Sequence, residues 1–494
     1  MNSSKSSVKQ ENKVSFKLVS PFALFYQLTY MSAMAAAGIS RSKTFEIAAQ
    51  STVPASDYFV AINTLVEEMR YDYPEACRII GMKAKSENMK SFLLRFSDAL
   101  RSGEPLADFL TREAVVQGED YQNKYERDLE SLKQWSNAFS SIVISVALIV
   151  IIQVISSMIY SMNKSVMLGL VFTGLMMSAF GAWIIYRSAP REVMVINPSK
   201  GSREQRRAFG LSRILFPLAL ASSSIFYLLK VDLGLSLILL AAMLLPVGIA
   251  SLISDSRLHK KDAEFSTFLR STGGMATASG TTLKEALDKI DLTSFPMLEV
   301  DVDRLSKRLQ ARVDPDICWH QFGRESGSKL VSEVTDIFYG AVRIGGDPER
   351  VGFLCSLFTA KTAQLRAKRR LAAGTFAGLI TVMQGVVAGL MVFVLSIVQS
   401  FAVVVEKLLT EDAALQGSQN MQISMANFTP AELQFLSDLT IAMILLLAVV
   451  GAVAIICGDG GYRLKMAFYL ALTVFISGAS FMFVPSLVQG ILKV

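Results

Sequence analysis

The sequence predicts an all-α, polytopic membrane protein with about seven transmembrane helices and two repeated cytoplasmic helical-bundle domains. Three observations carry this. Charged residues make up 18% of the 494 residues and hydrophobic ones 52%, where an ordinary soluble chain carries roughly 25% charge. The thinning is uneven. Seven runs hold no Asp, Glu, Lys or Arg: 138–160, 165–186, 214–229, 233–253, 375–405, 439–457 and 467–492. A membrane helix needs about 20 mostly apolar residues. Outside these runs the charge density is about 27%, which is that of soluble protein. Finally, the two long charged segments repeat one another at a constant offset.

The chain begins with a flexible basic tail, 1–19, where Lys5, Lys9, Lys13 and Lys17 stand among Ser and Asn. No cleavable apolar segment follows it, so no signal peptide is expected. The first cytoplasmic domain occupies 20–137. Its opening stretch, 18–40, lacks charge, but Gln27, Thr29, Tyr30 and Ser32 interrupt it. In the repeat its partner is roughly 260–282, which holds Lys260, Lys261, Asp262, Glu264 and Arg270. A segment so charged does not span a bilayer, and 18–40 is expected not to either. Ser20-Pro21 marks a helix start. Phe92, Leu93, Phe96, Ala99 and Leu100 share one helix face. Gly103 then closes that helix and Pro105 opens the next.

Transmembrane helices 1–4 fill 138–253. The third run is short and extends back past Arg213, which can snorkel to the headgroups. The third and fourth are joined only by Lys230-Val231-Asp232, as two spans or as a hairpin that does not fully cross. The second cytoplasmic domain is 254–374. Shifting the first domain by 242 positions places Gly38 on Gly280, Gly81 on Gly323, Ser86 on Ser328, Phe96 on Phe338, Ala99 on Ala341, Arg101 on Arg343 and Gly103 on Gly345. A common offset over such a stretch indicates an internal repeat. Thr282-x-x-Glu285 is a further helix start, and Asp347 caps a helix with Pro348 in its first turn. Neither domain shows strand alternation. Transmembrane helices 5–7 fill 375–494, with an external loop at 406–438. The last run contains Pro485, a possible kink.

Orientation follows from Lys and Arg in the short loops. The 187–213 loop holds Arg187, Arg191, Lys200, Arg203, Arg206, Arg207 and Arg213 against Glu192 and Glu204, a net +5. The 161–164 loop holds only Lys164, and 406–438 only Lys407 among five acids. Every alternate loop is basic, which puts the N-terminus in the cytoplasm and the C-terminus outside a cell membrane. The four cysteines, Cys77, Cys318, Cys355 and Cys457, are then expected to be reduced thiols.

Catalytic chemistry is sparse. No phosphate-cradling G-x-x-x-x-G-K-[ST] loop and no H-E-x-x-H pair exists. Cys318-x-His320 with Cys355 lacks a fourth metal ligand. Thus no cofactor, no metal and no enzymatic activity is expected. An intramembrane aspartyl protease needs two aspartates at depth, and Gly458-Asp459 offers one. A transporter wants ionisable groups inside the membrane, and the seven runs have none. The basic residues are not interleaved with aromatics, so nucleic acid is not an expected partner.

Two features remain. Gly374, Gly378, Gly385 and Gly389 lie along one side of the fifth run as two Gly-x-x-x-Gly steps, suiting close helix approach. That approach could be packing within the chain, a dimer interface or a groove for a substrate helix. The 187–213 loop either sets topology against lipid headgroups or docks an acidic cytoplasmic partner.

Two helical cytoplasmic domains, each followed by membrane helices, resemble the F-type platform proteins of type II secretion and type IV pilus machines. Leu100-Arg101-Ser102-Gly103-Glu104-Pro105-Leu106 matches the family's Leu-x-x-Gly-x-Pro-Leu-like run. Val342-Arg343-Ile344-Gly345-Gly346-Asp347-Pro348 repeats it with one residue more and no following Leu. The number of spans resembles the archaeal branch, which includes the archaellum and archaeal pilus platforms. The resemblance implies a non-enzymatic platform, commonly a homodimer. It would couple a cytoplasmic hexameric secretion ATPase to insertion of pilin-like subunits into a filament, or to type II-like secretion. Arg191, Arg203, Arg206 and Arg207 are then the expected ATPase contacts. Arg101 and Arg343 either face the ATPase or pin the hairpin whose geometry Gly103, Pro105, Gly345 and Pro348 set.

Overall fold

A computed structural model of the chain describes residues 16–51, 53–159, 164–196, 201–228, 232–414 and 430–492. Most of the basic tail, the Lys230-Val231 connection and much of the 406–438 loop lie outside the described residues. The helices in order are α1 (Pro21–Ala36), α2 (Arg41–Ala49), α3 (Ser56–Glu67), α4 (Tyr73–Met82), α5 (Glu87–Ser102), α6 (Leu106–Ile159), α7 (Lys164–Ser188) and α8 (Arg203–Leu228). There follow α9 (Leu233–Ser279), α10 (Leu283–Lys289), α11 (Glu299–Gln310), α12 (Pro315–Ser326), α13 (Lys329–Arg343), α14 (Pro348–Ala414), α15 (Pro430–Asp459) and α16 (Met466–Leu492). No strand occurs among the described residues; an isolated bridge pairs Val195 with Ser328. The fold is all-α and polytopic: six helices among the described residues, α6, α7, α9, α14, α15 and α16, are long and apolar enough to cross a membrane. Residues 214–228 of the third run form the apolar half of α8, which is not among the six.

The chain divides into two compact units. The first gathers the residues up to Lys124 with Glu264–Trp319 and Glu333–Thr362. Its helix starts follow local chemistry. Ser20 accepts the Ala23 amide and Thr282 the Glu285 amide, each satisfying an orphan donor of the first turn. α1 is buried along most of its length and, at 16 residues, is too short to span. A cluster of Phe45, Phe59, Phe92, Phe96 and Phe109 forms the core of the first repeat, with Phe96 stacked between Phe45 at 5.2 Å and Phe109 at 5.4 Å. In the second repeat Phe338 packs edge-on to the buried Trp319.

Backbone conformation marks the repeat more sharply than side-chain identity does. Gly38 and Gly280, Arg70 and Arg312, Gly103 and Gly345 all have positive φ, and each pair is 242 positions apart. Gly103 and Gly345 close α5 and α13 in the left-handed region, at φ 76° and 103°. The next amides turn back to Ala99 O and Ala341 O, a Schellman-type stop. Asp347 then caps α14 by accepting the Glu349 and Arg350 amides.

The second unit comprises Tyr125–Ala263, His320–Ser332 and the chain from Ala363 onward. Its helices approach through small residues, as expected where lipid gives no hydrophobic drive for helix association. A Cβ at Gly248 of α9 would lie 2.5 Å from Phe468 Cα of α16. Gly234 and Gly478 of the same two helices each meet the other's carbonyl oxygen at 3.0 Å in the same sense. Gln384 donates to Ile444 O and Ser477 Oγ, both at 3.1 Å, linking α14 to α15 and α16.

Candidate functional site

The second unit contains a buried junction of opposite charges. α9 places Asp255 and Asp262 two turns apart on one face, and α14 places Arg366 and Arg369 one turn apart. Arg366 donates through Nε and Nη2 to Glu192 Oε1 at 2.8 and 2.6 Å, and through Nη1 to Asp262 Oδ2 at 2.6 Å. All three side chains are at least 94% buried. Ser328 donates to the other Asp262 oxygen. Nearby, Lys465 donates to Asp255 at 2.8 Å and to Asp459 at 2.6 Å. Arg369 donates to the carbonyls of Pro190, Cys457 and Gly458. A cation there satisfies the open carbonyls at the end of α15. Buried charges persist only when paired and hydrogen-bonded, and these are.

The junction holds the segment between α7 and α8 in place. Glu192 of this segment grips Arg366. Its backbone pairs with the turn before α13: Ile196 N to Gly327 O at 3.3 Å, and Lys329 N to Met194 O at 3.1 Å. Gln205, 1% exposed, donates to Gly327 O, and Tyr462 OH donates to Gln205 O. On this stitched scaffold Arg191, Arg203, Arg206 and Arg207 are exposed, and among the described residues their side chains make no ion pair. Cationic groups are thus displayed outward over an ion-paired interior.

The other residues singled out from the sequence lie elsewhere. Arg343 is exposed at the end of α13 and pairs with Asp316. Arg101 is exposed at the end of α5. Arg78 donates to Glu75 and holds its carboxyl below the usual range, with Arg101 adding to the effect. Gly374, Gly378 and Gly389 have open space where a Cβ would stand, and only Gly385 is close to a neighbour, Ile476, at 3.2 Å. The tight backbone approaches fall instead at Gly234, Gly248 and Gly478. Asp459 does meet a second aspartate, Asp255, but only through Lys465. Its ammonium occupies the place a shared catalytic proton would need. Cys77 is buried, and burial pushes its thiol well above the ordinary range, which leaves it unreactive.

Sequence reasoning missed Glu192, Asp255, Asp262, Arg366, Arg369 and Lys465. The available signal was spacing: acids two turns apart on α9 and arginines one turn apart on α14 each define a single polar face.

Residues 28–154 match the family described as Type II secretion system (T2SS), protein F. The chain is also 28% identical over 311 residues to Flagella accessory protein J of Methanocaldococcus jannaschii. Both findings support a likeness to the type II secretion F and archaellum platform proteins. That second match covers 60% of this chain and 54% of the relative, so the family likeness spans about half of that protein's length. Flagella accessory protein J of Methanococcus voltae is 22% identical over 444 residues, covering 87% of this chain and 78% of the relative. No solved structure matches.

Proposed function

We propose that the chain is a non-enzymatic membrane platform for an archaellum-like or pilus-like filament, coupling a cytoplasmic hexameric ATPase to the insertion of pilin-like subunits. The relatives' names support the filament context, and the six apolar helices support the membrane setting. The observation that carries the coupling is the junction. Exposed Arg191 adjoins Glu192, which is tied to Arg366 of α14; exposed Arg203, Arg206 and Arg207 stand on the first turns of α8, and α14 is a single 67-residue helix. A push on the arginines is thereby delivered to a stiff rod. The loop's net +5 suits an acidic partner surface. The same reading places the N-terminus and the two helical domains in the cytoplasm and the C-terminus outside. It assigns the open face at Gly374 and Gly378 to a second copy or to the apolar stem of a filament subunit.

The test reverses charge at Arg191, Arg203, Arg206 and Arg207 together, each to Glu. Membrane insertion should be unchanged while ATPase co-purification and filament assembly are lost. Normal filaments from this variant would refute the docking role.

A further inference from the structure

Two ion pairs join α6 to α14: Asp108 with Arg350 at 2.8 Å, and Glu126 with Lys368 at 2.6 Å. In both, the partners are 242 positions apart, the offset of the internal repeat. Each residue is therefore paired with its own counterpart in the other copy. Leu129 and Leu371, separated by the same offset, both line one cavity of about 590 Å³ between these helices. When equivalent positions meet, a two-fold axis runs between them. When they meet at successive levels, ascending both helices in the same direction, the helices are parallel and in register and the axis runs along them. An antiparallel crossing could match equivalents at one level only. The step from Asp108 to Glu126 is 18 residues, five turns at 3.6 residues per turn, so both pairs fall on one face.

The chemistry of that face is asymmetric. At both levels α6 supplies the acid and α14 the base. An α6–α6 contact between two chains would set Asp108 against Asp108 and Glu126 against Glu126. An α14–α14 contact would set arginine on arginine and lysine on lysine. Half-exposed ion pairs add little stability, but juxtaposed like charges discriminate between partners.

We infer that the α6–α14 contact is a homodimer-type interface closed within one chain: its charges select the opposite repeat and reject a second copy of the same repeat. The face fits one partner, the other half of the same polypeptide, and any self-association of the protein uses a different surface.

The test uses the full-length chain in native membranes, with Cys457→Ser because the other three cysteines are buried. Glu126→Cys with Lys368→Cys, treated with a short bismaleimide, should link within the chain. A protease site inserted at Lys230-Val231 reads this out, because the two fragments then stay joined. Glu126→Cys alone should give no linked pair of chains. Adding Asp108→Arg to the double-cysteine chain sets Arg against Arg350 and should slow linking about three- to fivefold, the factor an exposed ion pair corresponds to. Further adding Arg350→Asp should restore the rate. Linked dimers from Glu126→Cys alone would overturn the closed interface. An unchanged rate with Asp108→Arg, or no recovery with Arg350→Asp, would overturn the charge selection.

Discussion

Arg366→Met is the most informative single change in the junction. It keeps an apolar stem like that of the arginine but removes the guanidinium that three hydrogen bonds tie to Glu192 and Asp262. Two carboxylates, 6% and 1% exposed, are then left without their countercharge. Removing one partner of a buried pair costs about 3–5 kcal/mol, because the remaining charge stays buried. Glu192→Gln should cost less, about 1–2 kcal/mol, since Arg366 keeps Asp262 and loses a charge-assisted hydrogen bond rather than its neutrality. The triple change Arg366→Met, Glu192→Gln, Asp262→Asn removes every uncompensated charge and should recover most of the loss. Thermal unfolding of the purified protein in detergent, followed by tryptophan fluorescence, orders the four proteins. A single Arg366→Met variant as stable as the parent, or a triple variant no better than the single, would refute the account of the junction as an ion-paired clamp. Glu192→Gln also separates two activities: the ATPase should still co-purify through the four arginines, while filament output falls.

Further outcomes follow from local geometry and are measured in the same way. Gly273→Ala should destabilise by about 1–3 kcal/mol, because the new Cβ would stand 2.2 Å from the Pro348 carbonyl oxygen, whereas Gly274→Ala next to it meets nothing within 4 Å and should gain up to about 1 kcal/mol from helix propensity. Arg312→Gly should stabilise by about 1 kcal/mol, since φ is 60° there and left-handed backbone is costly for any residue with a Cβ. Gly345→Ala at φ 103° should lose about 1 kcal/mol or more. Gln153→Leu should stabilise by about 1–3 kcal/mol, because both amide atoms of this buried side chain have no hydrogen-bond partner among the described residues.

The parts of this fold written in local pattern were legible from the sequence. The described residues of each of the seven uncharged runs lie within one helix, because burying backbone in lipid leaves few other choices. The caps at Ser20, Thr282 and Asp347 and the stops at Gly103 and Gly345 obey short-range rules, which is why they were visible. The junction was not legible. Glu192 and Arg366 are 174 residues apart, and nothing in either neighbourhood announces the other. Charged residues beside apolar runs look like interfacial anchors, and only the fold shows that Asp262 and Arg366 point inward. What the glycine stripe packs against was not legible for a related reason. Gly374 and Gly378 have the spacing for close approach, but a helix presents small residues on faces that the chain itself leaves open. Close contact came at Gly248, whose neighbour Phe468 is distant in sequence.

The stitching of the segment between α7 and α8 has a consequence in time. Gln205 reaches its acceptor on Gly327 only after 122 further residues exist. At roughly 5–20 residues per second of synthesis that is a wait of about 6–24 s. During it the basic segment is already made but has no Gly327, Ser328 or Arg366 to close against. Glu192, destined for burial, waits in water at no cost, and the arginines are exposed from the start. The proposed docking surface therefore exists before the clamp that connects it to α14, and a partner arriving early would find a loop it can hold but cannot yet pull.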